Sequence, residues 1–233
     1  MGISRFASSG LALLALAACD NSVTLQVESG PQDFEVSTSS LTLPEQLRDE
    51  TSGTARIATV DCSGTGICPS TGAFAIECAA GVCDPAPVQM DAALGDVVDF
   101  EVLISEARTL VRHIDSIEIV SGSYDIDLNT ATIDVPDVEI YWGPEAAAAI
   151  DPSMGVTRLG TLPGIPAGST DGGSLVIDAA GSAALSDFLV GTSKRVRFFA
   201  RTRVDLAPGG PFPTGAVQGS VNLRVRVVGA LVR

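Results

Sequence analysis

The chain has 233 residues, with 28 acidic side chains against 14 Lys and Arg, for a net charge of −14. Phosphate recognition needs a dense basic face, so this balance argues against a nucleic-acid partner. With 45% hydrophobic and 18% charged residues, it has the composition of a chain that folds around a core.

At the N-terminus, Arg5 precedes an apolar run from Phe6 to Ala18 that is 13 residues long. A membrane-spanning helix needs about 20 residues. A positive charge, a short apolar run and small residues in that order are the marks of a secretory signal peptide. Leu16-Ala17-Ala18-Cys19 resembles the lipobox of bacterial lipoproteins. The resemblance implies that residues 1–18 are removed and that Cys19 becomes the lipid-bearing first residue, leaving 215 residues and a charge of −15. Two or three acyl chains, at about 0.8 kcal/mol per buried methylene, anchor a protein stably. The expectation is a membrane-tethered domain in the bacterial cell envelope. Asp20 resembles the inner-membrane retention signal of enteric lipoproteins, a rule that does not hold across bacteria. The outer membrane or cell surface is the expected address ahead of the inner membrane.

Val23, Leu25 and Val27 alternate with polar residues, so a strand is expected close to the lipid. Residues 28–56 read as loops with a short strand near Leu41–Leu43. Four cysteines follow in the segment 57–86: Cys62, Cys68, Cys78 and Cys83. An even number of cysteines in an exported chain reads as two disulfides. Of the three connectivities, Cys62–Cys68 and Cys78–Cys83 is the expected one, because Cys78-Ala-Ala-Gly-Val-Cys83 suits a tight hairpin. Gaps of five, nine and four residues fit a zinc site poorly.

Residues 97–102 (VVDFEV) and 116–120 (SIEIV) read as strands. Between them, Ile104, Ala107, Leu110, Val111 and Ile114 have near-helical spacing. Residues 123–142 read as a hairpin turning at Asn129-Thr130, with Pro136 implying an edge position or a bulge. A helical turn is expected at 144–150 and a strand at 174–178. The clearest helix is Ser182 to Val190, with Ser182 as cap and Gly191 as stop. Two long strands finish the chain, in which Arg195, Arg197, Arg201 and Arg203 share a face with Phe199, and Arg224 and Arg226 repeat the pattern.

Residues 19–193 hold 5 basic and 27 acidic residues, whereas 194–233 hold 8 and 1. A basic docking face is one reading of this split. The preferred reading is cross-strand pairing of these arginines with acidic neighbours. The fold expected is an all-β antiparallel β-sandwich with one or two short helices and a disulfide-stapled insert, in a single domain over 19–233.

Chemistry-bearing motifs are few. His113 is the sole histidine and lies beside Arg112 and Asp115; with no G-x-S-x-G motif it reads as a structural residue. Glycosidic chemistry would need a distinct carboxylate pair and stacking aromatics, but only Trp142, Tyr124 and Tyr141 are present beside the phenylalanines, with Trp142 expected in the core or at its rim. Asp125, Asp127 and Asn129 mimic half of an EF-hand loop. Thr130 stands where the Gly belongs and Pro136 where the Glu belongs, so they are weak calcium candidates. No cofactor is expected besides the lipid. The function expected is structural or protein-interacting and not enzymatic, with an envelope protein as partner; the alternative is a calcium- or glycan-binding module.

Overall fold

The computed structural model describes residues 22–41, 45–49, 56–64, 66–69, 75–105, 111–191 and 194–231. In chain order the strands begin with β1 (Ser22–Glu28), β2 (Gln32–Ser37), β3 (Arg48–Asp49), β4 (Arg56–Ile57), β5 (Ile76–Ala79), β6 (Val82–Pro85) and β7 (Val88–Asp99). They continue with β8 (Val111–Asn129), β9 (Val138–Pro144), β10 (Thr157–Leu162), β11 (Gly173–Ser174), β12 (Val176–Ile177), β13 (Arg195–Val204) and β14 (Ala216–Leu231). Two helices interrupt them, α1 (Phe100–Leu103) and α2 (Ala179–Val190).

The long strands form two antiparallel five-stranded sheets. In the first, β14 pairs with β8 along one side and with β2 and then β1 along the other. In the second the order is β12-β10-β9-β13-β7. Side chains alternate as period-two burial requires. Val221, Leu223, Val225 and Val227 of β14 face inward, as do Val138, Ile140 and Trp142 of β9 and Val196, Phe198 and Ala200 of β13. All belong to one buried cluster, so the two sheets share a core and the expected antiparallel all-β fold is present.

The connections define two ends. β1 begins, β7 ends, β8 begins, β13 begins and β14 ends at one of them. Ser22 pairs with Ala230, Ala230 with His113, and Asp99 with Arg195. This end is plugged by α1 and α2, which place Phe100, Ile104, Leu185 and Leu189 in the core. Gly181 lets α2 lie directly on β10, because a Cβ there would collide with the Arg158 carbonyl. At the opposite end Leu47, Ile57, Val88, Val204, Leu206 and Phe212 make a second, smaller cluster. Val60 and Ile76 of the cysteine segment pack on it.

Several local expectations change. Both predicted disulfides are wrong: the bonds are Cys62–Cys78 and Cys68–Cys83. The tight hairpin exists, with Cys78 opposite Cys83 and positive φ at Ala80 and Gly81. Backbone hydrogen bonds already join its strands. The cysteines of the preceding loop instead lie along it, where Cys62 N–H donates to Gly81 and Cys83 N–H to Val60, both at 2.9 Å. Each bridge ties that loop to a different strand of the hairpin. The expected hairpin over 123–142 is also absent, since β8 and β9 belong to different sheets. The carboxylates of Asp134 and Asp137 accept from Ala167 and Gly164 N–H, each at 2.8 Å, and draw this stretch into a crossover. Pro136 lies in that crossover, outside any strand.

The strand expected to reach Val102 stops at Asp99, whose carboxylate accepts from Glu101 N–H at 2.9 Å and starts α1. The helical spacing read from Ile104 to Ile114 gives way to strand at Val111; Ala107 and Leu110 lie outside the described residues, as does most of Leu41–Leu43. Residues 144–150 form turns without a helix, Pro144 being the last residue of β9. The strand read at 174–178 is split, with β11 in one sheet and β12 in the other on either side of buried Leu175. Helix α2 begins three residues before Ser182, with Asp178 at its N-cap, and stops at Gly191.

Candidate interaction face

The outer surface of the second sheet carries the most connected polar arrangement among the described residues. Its pattern follows from the strands beneath it. With Val138, Ile140 and Trp142 turned inward, Glu139 and Tyr141 must face outward. In β10 the pairing slips between Arg158 and Gly160, so one extra residue, Leu159, is accommodated and buried. This bulge puts Arg158 and Thr161 on the same face, where Arg158 Nη2 donates to Thr161 Oγ1 at 2.6 Å.

Register then sets two rows across the sheet. One runs Asp91, Arg201, Glu139, Thr161; the other runs Ala93, Phe199, Tyr141, Arg158. Arg201 binds Asp91 through two parallel hydrogen bonds of 2.8 Å, and its guanidinium carbon lies 5.6 Å from the centre of the Tyr141 ring. The Tyr141 hydroxyl donates to Glu139 Oε2 at 2.8 Å. The other Glu139 oxygen lies 3.4 Å from Arg158 Nε, and Arg158 reaches Asp178 at 3.1 Å. The network therefore runs from edge strand β7 to the start of α2. Its surface is a shallow concavity of about 670 Å³ lined by Gln89, Glu139, Arg158, Thr161, Arg201 and Arg203, among others.

Burial and the bond to Glu139 push the Tyr141 hydroxyl pKa above the ordinary tyrosine value. The bond to Asp91 pushes the Arg201 guanidinium pKa further up. Phe199, on the same face, is buried with Ala147 and Val156 under the loop that follows β9. The face thus offers an aromatic ring, guanidinium groups and carboxylates, all held in place by one another.

No protein-family model matches the chain, and comparison with curated proteins finds no match.

The other candidates are dispersed. His113 Nε2 lies 2.7 Å from Asp115 Oδ1 on β8, both largely exposed and in the other sheet. Asn129 is committed to a loop: its amide donates to the carbonyls of Pro166 and Ser169 at 2.9 Å, while its oxygen accepts from Ala131 N–H at 3.0 Å. Asp125 and Asp127 sit on the exposed side of β8. Asp125 pairs in register with Ser220, not with an arginine. The metal-type ligand atoms that cluster among the described residues are the sulfurs of Cys62, Cys68 and Cys83, all consumed in disulfides. Trp142 is 4% exposed, a core residue whose ring packs 5.3 Å from Phe188. Cys19 and the lipobox lie outside the described residues.

Cross-strand pairing of the C-terminal arginines is present. Arg201 faces Asp91, Arg224 faces Glu28 and Arg226 faces Glu118, each pair directly opposite in register and 2.8 to 3.4 Å apart. Sequence reasoning missed Glu139, Arg158 and Asp178. The alternation through Val138 to Trp142 exposes Glu139; no sequence signal marks the bulge that brings Arg158 over it.

Proposed function

We propose that the chain is a bacterial lipoprotein of the cell envelope, anchored through lipid on Cys19, whose domain acts by binding another envelope protein. The observation that carries the anchoring is the accounting of its five cysteines: four are spent in disulfides, and the one left over is Cys19 of the Leu16-Ala17-Ala18-Cys19 motif. Disulfides of this kind belong to oxidising compartments, which supports export. The outer membrane or cell surface is the proposed address.

The interaction role rests on the outer face of the second sheet. Arg and Tyr are the residues that protein interfaces concentrate at their energetic centres. Here Arg201 and Tyr141 are pre-ordered by Asp91 and Glu139, so little side-chain entropy remains to be lost on binding. The charged groups are neutralised by one another, which suits a protein partner of mixed charge more than a phosphate or a metal.

Two measurements test this. A Cys19→Ala chain labelled with radioactive palmitate in bacteria should lose both label and membrane association; retention of both overturns the anchoring. A photo-crosslinking residue at Arg203 should yield a discrete adduct in intact envelopes, and one at Glu118 on the other sheet should not. Equal labelling from both positions overturns the assignment of the face.

A further inference from the structure

The end of the sandwich that carries α1 and α2 is the end nearest Cys19. Only Asp20 and Asn21 separate Cys19 from Ser22, the first residue of β1. Three Cα–Cα steps span at most about 11 Å. Ser22 stands in one row with Ala230 of β14 and His113 of β8, so the short tether holds a strand of the sheet, and not merely a loose tail, beside the acyl chains, with this end of the sandwich toward the bilayer.

Two apolar side chains are exposed on the helices of this end. Val102 on α1 is 67% exposed and Val190, the last residue of α2, is 45% exposed. They belong to one assembly: Phe100 N–H donates to the Lys194 carbonyl at 2.9 Å, and Lys194 Nζ donates to the Gly191 carbonyl at 2.9 Å. Lys194 is the single lysine of the chain, and Arg195 follows it. Arg195 binds Glu145 at 2.6 Å and lies 3.6 Å from Asp99, which offsets the acidic charge there. Over residues 19–193 acids outnumber bases 27 to 5, a surface that an anionic bilayer repels. This end is not free of acids either, since Glu101 and Asp187 are exposed beside the two valines, so the tether and the apolar side chains, not charge, must hold it to the bilayer.

We infer that the α1–α2 end of the sandwich is a lipid-contacting surface, seating Val102 and Val190 in the interfacial region of the bilayer that holds the lipid on Cys19. The inference rests on the anchoring proposed above and adds an orientation to it. Docked this way, the domain stands with its strands rising from the membrane. The disulfide-linked segment is then the outermost part, and the charged face of the second sheet is turned sideways toward neighbouring proteins. Short side chains such as valine reach the headgroup boundary, not the hydrocarbon centre, so contact depends on the tether.

The test uses the mature lipidated chain in vesicles of phosphatidylethanolamine and phosphatidylglycerol. Single variants Val102→Cys, Val190→Cys and Leu128→Cys are labelled with a fluorophore under non-reducing conditions. Leu128 is exposed and lies near the far end of β8, roughly 50 Å along the strand from its start. Labels at 102 and 190 should be quenched by lipid-borne spin labels and shielded from aqueous iodide, with the reverse at 128. Chains that float with the vesicles but show the same quenching at all three positions overturn the orientation while leaving the anchor intact. Chains that do not float overturn the anchor, and the orientation with it. As a second measure, Val102→Asp with Val190→Asp should raise iodide access at a Ser22→Cys label on floated vesicles; unchanged access also overturns the inference.

Discussion

At the end where β1 begins, α1 and α2 drive Phe100, Ile104, Leu185 and Leu189 into the core shared by both sheets, each no more than 1% exposed. At the opposite end the segment from Arg56 to Pro85 rests on a small cluster and is held by two disulfides that tie its loop to the two strands of the β5–β6 hairpin. One end is closed by apolar burial and the other by covalent constraint. The difference follows from composition. The cysteine segment contributes few large apolar side chains, and of those Ile67 is 76% exposed, so it cannot supply its own core. A bridge acts instead by reducing the freedom of the unfolded chain. The helix end has apolar residues at the spacing a helix needs and carries no cysteine.

The sharpest way to break this contrast is to empty the helix end. Leu185→Ala removes a fully buried side chain from α2 and should cost about 2–5 kcal/mol, the range for cavities that cannot collapse. Trp142 reports on it, because its ring packs against Phe188 of the same helix. Urea titration followed by Trp142 fluorescence should show a lower midpoint with an unchanged slope. A loss well under 1 kcal/mol would mean that α2 is not part of the cooperative core.

The disulfide end should respond differently. Cys62→Ser with Cys78→Ser opens a bridge between residues 16 apart. Loop-closure entropy sets the expected cost at about 2–3 kcal/mol. The loss should be concentrated locally, with faster amide hydrogen exchange over 60–63 and 76–85 and a smaller shift of the Trp142 midpoint than Leu185→Ala gives. Equal shifts in both variants would erase the distinction between the ends.

What could be read from the sequence divides along similar lines. Period-two alternation announced β13 and β14 with their inward and outward faces, because one side of each is buried and register cannot slip without reversing every side chain. The charge split between residues 19–193 and 194–233 anticipated cross-strand pairing of the C-terminal arginines with acids, which Arg201, Arg224 and Arg226 make. Partner choice was not legible. Residues 123–142 carry the alternation of a hairpin, yet the carboxylates of Asp134 and Asp137 bind loop amides and send β9 into the other sheet. The disulfides failed for a related reason: adjacency in sequence favoured Cys78 with Cys83, while the loop docked along the hairpin placed Cys62 and Cys68 in bonding range. Of the candidate face, Arg201 and Arg203 were visible, and Arg158 with the bulge that positions it was not.

The charged face lies between the two ends, and its own contribution to stability should be the smallest. Its ion pairs are partly exposed, Arg201 being 25% and Asp91 39% accessible, a setting in which a pair adds about 0–1 kcal/mol. Tyr141 gives this region a separate signature. Burial and the hydrogen bond to Glu139 raise its pKa in the folded state, so between the unfolded value near 10 and the higher folded value the native chain holds a proton that the unfolded chain has released. Stability from this source is therefore complete below about pH 10 and declines as pH rises through the folded value. Tyr141→Phe removes the titrating group. It should be slightly less stable than the native chain at neutral pH, having lost the bond to Glu139, and should lose less stability between about pH 9 and 11. The difference of the two stability curves isolates Tyr141 from the other groups that titrate there. If the curves stay parallel, the hydroxyl is as well solvated in the folded protein as in the unfolded chain, and the face is looser than the hydrogen bond from Tyr141 to Glu139 implies. If they converge with rising pH, the face is ordered before any partner arrives, which is the property its proposed use requires.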